Sequence, residues 1–361
     1  MMTKKCIAGF LLIFVCSYGY AQTSTCAQTL RLARSTYEQG RFHEIPALLA
    51  NCLASADARF TKQERVEALR ILTLAYLYQE EPLQADETMI RLLNTDHFYE
   101  PNVNVDPAEF TALYATFRTD PVFALGLKFG ANSTYPTALK NYYVGNASAG
   151  NGEYSPVFNI QIGASFEKKL FLGKKNSKLS QLTAAPEIMF SNHTFSYANE
   201  ELTQSDQTGD PYSRIDTKYS QSRLDLNGLI QYQLKESTIN PYVMAGPGIS
   251  YLLKTDAEIE TQFPFEGSVV TGPSVDVTKT FNALDYTAIV GAGLKFKFGE
   301  IYLAADVRYK YGLTNLINNS SRSDPEATFD YGSVPNDIRQ SSVMVNIGFT
   351  WPYFNPKKLG N

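Results

Sequence analysis

The chain has 361 residues, 32 basic and 36 acidic side chains, and a formal net charge of −4. A chain of this length can hold two domains, and so mild and mixed a charge does not indicate nucleic-acid binding. Tyrosine (23) and phenylalanine (22) are abundant, whereas tryptophan occurs once. This composition suits strands at a membrane interface, where the polar end of an amphipathic aromatic side chain contacts water and the rest of the ring contacts lipid.

The chain begins with the pattern of an export signal, MMTKKCIAGFLLIFVCSYGYAQTST. Lys4 and Lys5 form a positive start, and an apolar run extends from Ile7 to Val15 before the small residues near position 21. This pattern predicts a secretory signal peptide over residues 1–21. The apolar run is shorter than the ~20 residues that a membrane-spanning helix needs.

The segment 26–101 has apolar residues at helical spacing in two successive hairpins. Gly40 separates the two helices of the first hairpin, and Thr61 with Glu64 forms a capping box at the start of the second. A further short helix is predicted within 105–121, at the joint to the rest of the chain.

Part of this helical region resembles tetratricopeptide repeats. YEQGRFHEIPALL resembles the Tyr–Gly–aromatic turn of that family, and Tyr99-Glu100-Pro101 resembles its closing proline, although Pro46 replaces an expected small residue. The resemblance covers roughly 75 residues, about two repeat periods. It implies a repeat-like domain over residues 22–120 that binds a protein partner. A helical cap under a second domain stays open as the alternative.

Two cysteines remain once the signal peptide is removed. Cys26 lies fourteen residues before Gly40 and Cys52 lies twelve residues after it. Antiparallel helices that rise ~1.5 Å per residue therefore bring both cysteines to the same end of the hairpin. In an exported chain this placement predicts a Cys26–Cys52 disulfide, with two unpaired thiols as the alternative.

From residue 121 onward the apolar pattern changes to period two over eight successive segments. In IYLAADVRYKYGL, residues 301–313, every odd position is apolar, whereas Asp306, Arg308 and Lys310 occupy even positions. Successive side chains of a strand point to opposite faces. A soluble β-sandwich with its apolar face inward and a membrane barrel with its apolar face toward lipid both fit this pattern.

The connections between the eight segments alternate between short and long. GKKNSK, KESTIN and the Gly299-Glu300 turn are short, and four long polar stretches lie between them. This alternation is typical of outer-membrane barrels, and the chain resembles the small eight-stranded outer-membrane β-barrel family. The aromatic terminal strand VMVNIGFTWPYF resembles the signal read by the barrel-insertion machinery. The resemblance implies outer-membrane lipid and that machinery as partners.

The sequence therefore predicts an α+β two-domain chain in which repeat-like N-terminal α-helical hairpins precede an eight-stranded antiparallel transmembrane β-barrel. The predicted boundaries are 22–120 for a periplasmic helical domain, 121–354 for the outer-membrane barrel and 355–361 for a periplasmic tail.

Ten charged residues are predicted to face the barrel lumen. Because an eight-stranded barrel is only wide enough for side chains to fill it, mixed charges there indicate a structural ion-pair network rather than an ion pathway. The predicted network consists of Lys128, Glu167, Glu187, Arg223, Asp225, Lys295, Lys297, Asp306, Arg308 and Lys310.

Little in the sequence indicates catalysis. Ser191 and His193 share a strand face, but no neighbouring residue in the sequence supplies a carboxylate to orient the base. We expect no catalytic, cofactor or metal site and no enzymatic activity. The expected function is a structural or accessory role in an envelope or secretion assembly, with a periplasmic or envelope protein as partner. A small transport barrel is the alternative, and a lipid-modifying barrel enzyme is a third.

Overall fold

The chain divides into two compact units. The structure, a computed structural model, describes residues 24–54, 60–142, 152–170, 181–201, 213–234, 239–263, 268–322 and 334–359, so the predicted signal peptide and the GKKNSK turn lie outside it. One unit is Met1–Thr119 together with Asn355–Asn361, and the other is Asp120–Phe354. The tail that the sequence set apart as 355–361 thus groups with the helices.

The helical unit contains five α-helices among its described residues. Apolar residues at three- and four-residue spacing give each helix one buried stripe, and these stripes share a core that includes Leu49, Leu72 and Met89. None of the described helices is long and apolar enough to cross a membrane. The helices are α1 Ser24–Glu38, α2 Ile45–Ala54, α3 Lys62–Tyr78, α4 Pro82–Thr95 and α5 Ala108–Ala115.

Local sequence explains where α3 and α4 begin. The Thr61 side chain accepts a hydrogen bond from the Glu64 backbone N–H at 3.2 Å, and the Glu64 carboxylate accepts one from the Thr61 N–H at 2.9 Å. A cap of this kind stabilises a helix by about 1 kcal/mol. Pro82 occupies the first turn of α4, where its missing N–H costs nothing.

The turns that follow α1 and α3 have similar backbone geometry and are hydrogen-bonded to each other. Gly40 has a φ of 74° and Glu80 a φ of 57°, so each turn reverses through a left-handed residue. The Gln79 side chain donates to the Phe42 carbonyl at 3.0 Å. The two helical hairpins therefore meet at one corner.

The C-terminal tail completes the helical unit. The Leu359 N–H donates to the Thr116 carbonyl at 2.8 Å, and the Arg118 N–H donates to the Lys357 carbonyl at 3.0 Å. Lys358 Nζ lies 2.6 Å from an Asp86 carboxylate oxygen. The helical unit is thus assembled from residues near both ends of the chain.

Cys26 of α1 and Cys52 of α2 are joined by a disulfide, with their Cα atoms 5.7 Å apart. Both side chains are buried in the helical core. The bond links residues 26 positions apart. In the chain-entropy model, closing a loop of that length raises the free energy of the unfolded chain by about 3 kcal/mol and so stabilises the folded state.

In the second unit, eight long strands of the described residues close into an antiparallel ring. Strand β1 pairs with β3 on one side and with β11 on the other, where Phe123 lies opposite Tyr353. The order around the ring is β1, β3, β4, β5, β6, β9, β10 and β11. The strands are β1 Phe123–Lys140, β2 Glu153–Pro156, β3 Phe158–Lys169, β4 Leu182–Glu201, β5 Ser213–Gln233, β6 Ile239–Phe263, β7 Ser268–Thr271, β8 Val275–Asp276, β9 Leu284–Phe298, β10 Ile301–Gly312 and β11 Asp337–Tyr353.

Several strands extend further than the sequence pattern predicted. Residues 254–283 are one of the four long polar stretches that the sequence analysis treated as connections, but β6 continues to Phe263 and then pairs with the short strands β7 and β8. The reason is that inward-facing side chains at this end are apolar and pack together, among them Phe195, Ile259 and Val275. These extensions lie at the end of the ring that carries the long connections.

The outer face of the ring is an apolar belt, as parity predicts. Val307, Val345 and Ile347 are 55%, 52% and 56% exposed, whereas Asp306 and Arg308 are buried inside. An exposed apolar surface of this extent would be costly in water, and it matches the lipid-facing band of a membrane barrel.

Removing the disulfide should destabilise the helical unit. We expect the Cys26→Ser/Cys52→Ser variant of the full-length protein to lose about 2–4 kcal/mol from the free energy of unfolding of its helices. Urea unfolding followed by circular dichroism at 222 nm measures this loss. Reduced wild-type protein is the matched control and should behave like the variant. Equal urea midpoints for oxidised wild type and variant would contradict the prediction.

A charge on the outer belt should hinder folding into lipid. Val307 faces outward near the middle of β10, opposite Val345 and Ala292, so Val307→Arg should cost about 2–4 kcal/mol of folding free energy in phospholipid vesicles. Urea-dependent folding scored by gel mobility provides the measurement, and Val307→Ala is the control. Equal folding of the two variants would show that this face does not meet lipid.

Candidate functional site

The interior of the barrel holds the charges that the sequence predicted to face inward. Along β10 the even-numbered residues Asp306, Arg308 and Lys310 are each at most 4% exposed, because strand parity turns them toward the lumen. An ion in such a place needs both a counter-charge and hydrogen bonds to offset its lost hydration. The hydrogen-bond partners of these side chains therefore define the site.

Glu187 of β4 is the centre of the first group. One carboxylate oxygen lies 2.6 Å from Lys128 Nζ of β1, and the other accepts a hydrogen bond from Arg308 Nη1. The Asn227 amide donates to the same second oxygen at 3.0 Å. Four strands of the ring are thus joined across the lumen through one carboxylate.

Asp306 forms the second group with the same arginine. Arg308 Nε and Nη2 donate to the two Asp306 oxygens at 2.6 and 2.9 Å, a bidentate arrangement. The Asn346 amide donates to Asp306 Oδ1 at 2.9 Å, and the Tyr242 hydroxyl lies 3.3 Å from Oδ2. Arg308 therefore bridges two carboxylates and connects the first group to the second.

Asp225 of β5 forms the third group. Lys310 Nζ lies 2.8 Å from Asp225 Oδ1, and the Ser250 hydroxyl donates to the same oxygen. The Ser191 hydroxyl donates to Oδ2 at 2.7 Å. The Asp225 side chain is fully buried with both of its oxygens occupied.

The remaining predicted lumen charges are arranged differently. Lys295 Nζ lies 2.5 Å from a Glu167 oxygen, nearer the short-turn end of the barrel. Arg223 is 1% exposed, its Nε donates to Gln221 at 3.0 Å, and its two Nη atoms have no hydrogen-bond partner among the described residues. Lys297 lies on the same inward parity of β9 as Lys295, but its side chain is exposed because it lies one residue before the end of the strand.

The charged side chains buried in the described lumen balance once the partly buried Lys295, which pairs with Glu167, is counted with them. The sequence analysis omitted Asp285 from the network, although it lies on the inward parity of β9 and is 3% exposed. With Asp285 included, five cations face five anions. The cations are Lys128, Arg223, Lys295, Arg308 and Lys310, and the anions are Glu167, Glu187, Asp225, Asp285 and Asp306.

Ser191 and His193, the one nucleophile–base pair that the sequence suggested, lie within this interior. Ser191 Oγ is 3.0 Å from His193 Nε2, and Asp225 supplies a carboxylate that sequence proximity did not reveal. The carboxylate, however, accepts its hydrogen bond from the serine. In a catalytic triad the carboxylate instead accepts from the imidazole and orients it.

The proton arrangement follows from these contacts. Because the single Ser191 hydroxyl proton is donated to Asp225, His193 Nε2 must be the donor toward Ser191. His193 Nδ1 then accepts from the Thr134 hydroxyl at 2.9 Å. A base that already donates to the serine cannot take its proton, and both residues are fully buried.

An apolar cluster fills the barrel beyond the charged layer, at the end with the long connections. Its side chains come from four barrel strands, from β8 and from the connecting segments, and Phe195 and Leu316 are fully buried. A smaller apolar cluster that includes Leu229 and Met244 lines the inner wall of β4, β5, β6 and β9. The described part of the lumen therefore contains a network of mostly paired charges and packed apolar side chains, with a cavity at its short-turn end beside Gln181, Gln231 and Lys295. No group of three or more possible metal ligands occurs among the described residues.

The chain is similar to known barrels of the outer membrane. Among solved structures it is similar to Neisserial surface protein A (13% identity, 66% of this chain and 97% of that chain, TM-score 0.28). It is also similar to the outer membrane protease OmpT from Escherichia coli (9% identity, 64% of this chain and 96% of that chain, TM-score 0.35). A third similar structure is the N-terminal β-barrel domain of Pseudomonas aeruginosa OprF (13% identity, 64% of this chain and 98% of that chain, TM-score 0.25). No curated protein sequence matches the chain.

A family model provides the identification. The model described as outer membrane protein β-barrel domain matches residues 121–318, which begins just before β1 and includes seven of the eight ring strands. The match covers more than half of the 361 residues. The chain therefore belongs to the outer membrane protein β-barrel domain family.

Proposed function

We propose that the chain is a non-enzymatic outer-membrane protein whose filled barrel anchors a periplasmic helical domain. In this proposal the helical domain binds an envelope protein, and the whole chain is a structural or accessory component of an envelope or secretion assembly. The observation that carries the proposal is the packed network inside the lumen, which fits an anchor better than a channel, and the helical unit offers a separate surface for a partner.

The ion pairs support an anchoring role for the barrel. An ion pathway needs sites that bind weakly enough to release what they bind, whereas the lumen carboxylates Glu187, Asp225 and Asp306 are each held by two or more donors. Breaking a buried pair costs about 3–5 kcal/mol. Such groups are held in place by their partners and do not favour passage of solute.

The ends of the barrel support the proposed placement of the helical domain. The first and last ring strands pair at Phe123 and Tyr353, at the end of the barrel that carries the short turns. Short turns face the periplasm in outer-membrane barrels. The segments that enter and leave the barrel, and with them the helical unit, would then lie in the periplasm.

Two other functions stay as alternatives. A small transport barrel would need a path through the lumen, and the buried network with its apolar cluster gives no support for one. A lipid-modifying enzyme would need an accessible nucleophile and a free base, whereas Ser191 and His193 are fully buried and the serine proton is already donated to Asp225. We therefore favour a non-enzymatic role.

The purified wild-type protein should show no steady ion conductance in planar bilayers, because the lumen is filled. Gel mobility before and after heating verifies that the barrel in the sample is folded. Stable current steps whose size changes in Arg308→Ala, which removes a lumen charge, would establish a path through the barrel. Val307→Ala, on the outer face, is the matched control and should leave any such steps unchanged.

The helical domain should be inaccessible from outside intact cells. An epitope inserted within residues 202–212, between β4 and β5, should bind antibody on intact cells. The same epitope within residues 55–59, between α2 and α3, should bind only after the outer membrane is permeabilised. Binding to the second epitope on intact cells would reverse the proposed topology.

A further inference from the structure

Three aromatic side chains stack where the two helical hairpins meet. Phe42 and Tyr78 are stacked with ring centroids 4.6 Å apart, and Tyr37 lies 5.5 Å from Phe42 and 6.3 Å from Tyr78. We name Tyr37, Phe42 and Tyr78 the aromatic corner. Tyr78 is 47% exposed, and the other two are partly exposed. The corner therefore presents aromatic surface that the described part of the chain does not cover.

Three exposed carboxylates lie close to this surface in the sequence. Glu38 follows Tyr37 directly, and Glu80 and Glu81 lie two and three residues after Tyr78. All three are exposed, and none takes part in an ion pair with a described residue.

The cation nearest in sequence does not neutralise these carboxylates. Arg41 already pairs with Glu44 at 3.1 Å. Leu83, in the first turn of α4, adds an apolar side chain that is 82% exposed.

Together these groups have the chemistry that recognises a cation. An Arg or Lys side chain is attracted to the face of an aromatic ring within about 6 Å of its centroid, and flanking carboxylates add charge-assisted hydrogen bonds. An acidic protein or an anionic lipid headgroup would be repelled by the same carboxylates.

A second copy of the helical domain is also a poor occupant. Residues 22–119 and 355–361 of the helical unit contain 13 acidic and 11 basic side chains. The exposed side chains Glu38, Glu80 and Glu81 next to the corner are all anionic, so two copies of this surface repel each other.

We propose that the aromatic corner is a docking site for a cationic peptide segment, rich in Arg or Lys, of an envelope protein. The inference rests on the proposed function, because it names the chemistry of the partner that the helical domain would bind. An Arg or Lys side chain lies over the Phe42–Tyr78 stack, and Glu38, Glu80 and Glu81 pair with the basic groups beside it.

Peptide binding to the full-length protein in zwitterionic detergent tests this docking site. The probe is a fluorescein-labelled peptide of five Arg-Gly repeats, and a peptide of five Gln-Gly repeats is its uncharged control. Fluorescence anisotropy should show saturable binding of the Arg-Gly probe alone. The triple variant Glu38→Gln/Glu80→Gln/Glu81→Gln should weaken binding about tenfold and flatten its dependence on salt. Glu109→Gln, an exposed carboxylate on α5, should leave it unchanged.

Two variants of Tyr78 measure the contribution of the aromatic ring to binding separately from that of the carboxylates. Tyr78→Leu keeps an apolar side chain but removes the aromatic face, and it should weaken binding about threefold. Tyr78→Phe keeps the ring and should bind as wild type does. Circular dichroism at 222 nm verifies that each variant retains its helices.

Two results would overturn the docking site. One is the absence of saturable binding of the Arg-Gly probe. The other is binding that the triple variant and Tyr78→Leu reduce no more than Glu109→Gln does, which would show non-specific attraction to the acidic chain. Either result leaves the proposed function standing if the epitope and conductance experiments support it. Conversely, antibody access to residues 55–59 on intact cells would refute the periplasmic placement without affecting peptide binding.

Discussion

The closure of eight strands into one ring is the constraint on which the rest of the barrel depends. Once β1 pairs with both β3 and β11, every strand has a face inside the ring and a face outside it. The apolar residues occupy the outer face, so Arg308, Lys128 and the other charged residues of the strands must lie inside. A charge removed from water is tolerated only with a partner and hydrogen bonds, and the narrow ring brings these groups within reach of one another.

The same closure determines what the interior can do. Arg308 links Glu187 on β4 to Asp306 on its own strand, and Lys310 links Asp225 on β5 to β10. Pairs that cross between distant strands hold the ring together, and the apolar cluster around Phe195 fills the end with the long connections. The burial and hydrogen bonding of Ser191 and His193 follow from the same packing. Together these features support the proposal that the barrel is an anchor.

The helical unit solves a different problem, because a small helical domain buries too little apolar surface to be very stable. A disulfide and a set of hydrogen bonds from the C-terminal tail add to the stability of this unit. The Cys26–Cys52 disulfide restricts the unfolded first hairpin, and the segment after β11 supplies hydrogen bonds to Thr116 and Arg118. The aromatic corner is formed only where the two turns meet. The hydrogen bond from the Gln79 side chain to the Phe42 carbonyl joins these two turns, and so contributes to the arrangement of the exposed rings.

Local patterns in the sequence determined the element types: helical spacing with a capping box at Thr61, period-two alternation in the strands, and the side of each strand on which Asp306 or Val307 lies. These features depend on neighbours a few residues away, so they can be predicted without the fold. The tertiary structure alone decided which charges pair, since Lys128 and Glu187 are 59 residues apart in the chain. It also decided that the Asp225 carboxylate accepts its hydrogen bond from Ser191 rather than from His193. It also decided that β6 continues through a predicted loop, because the apolar residues that cover its inner face come from other strands and connecting segments. Strand parity predicts which face of the sheet a side chain is on, but not which side chain it pairs with. In a closed ring the pairing depends on the register between strands that are far apart in the chain.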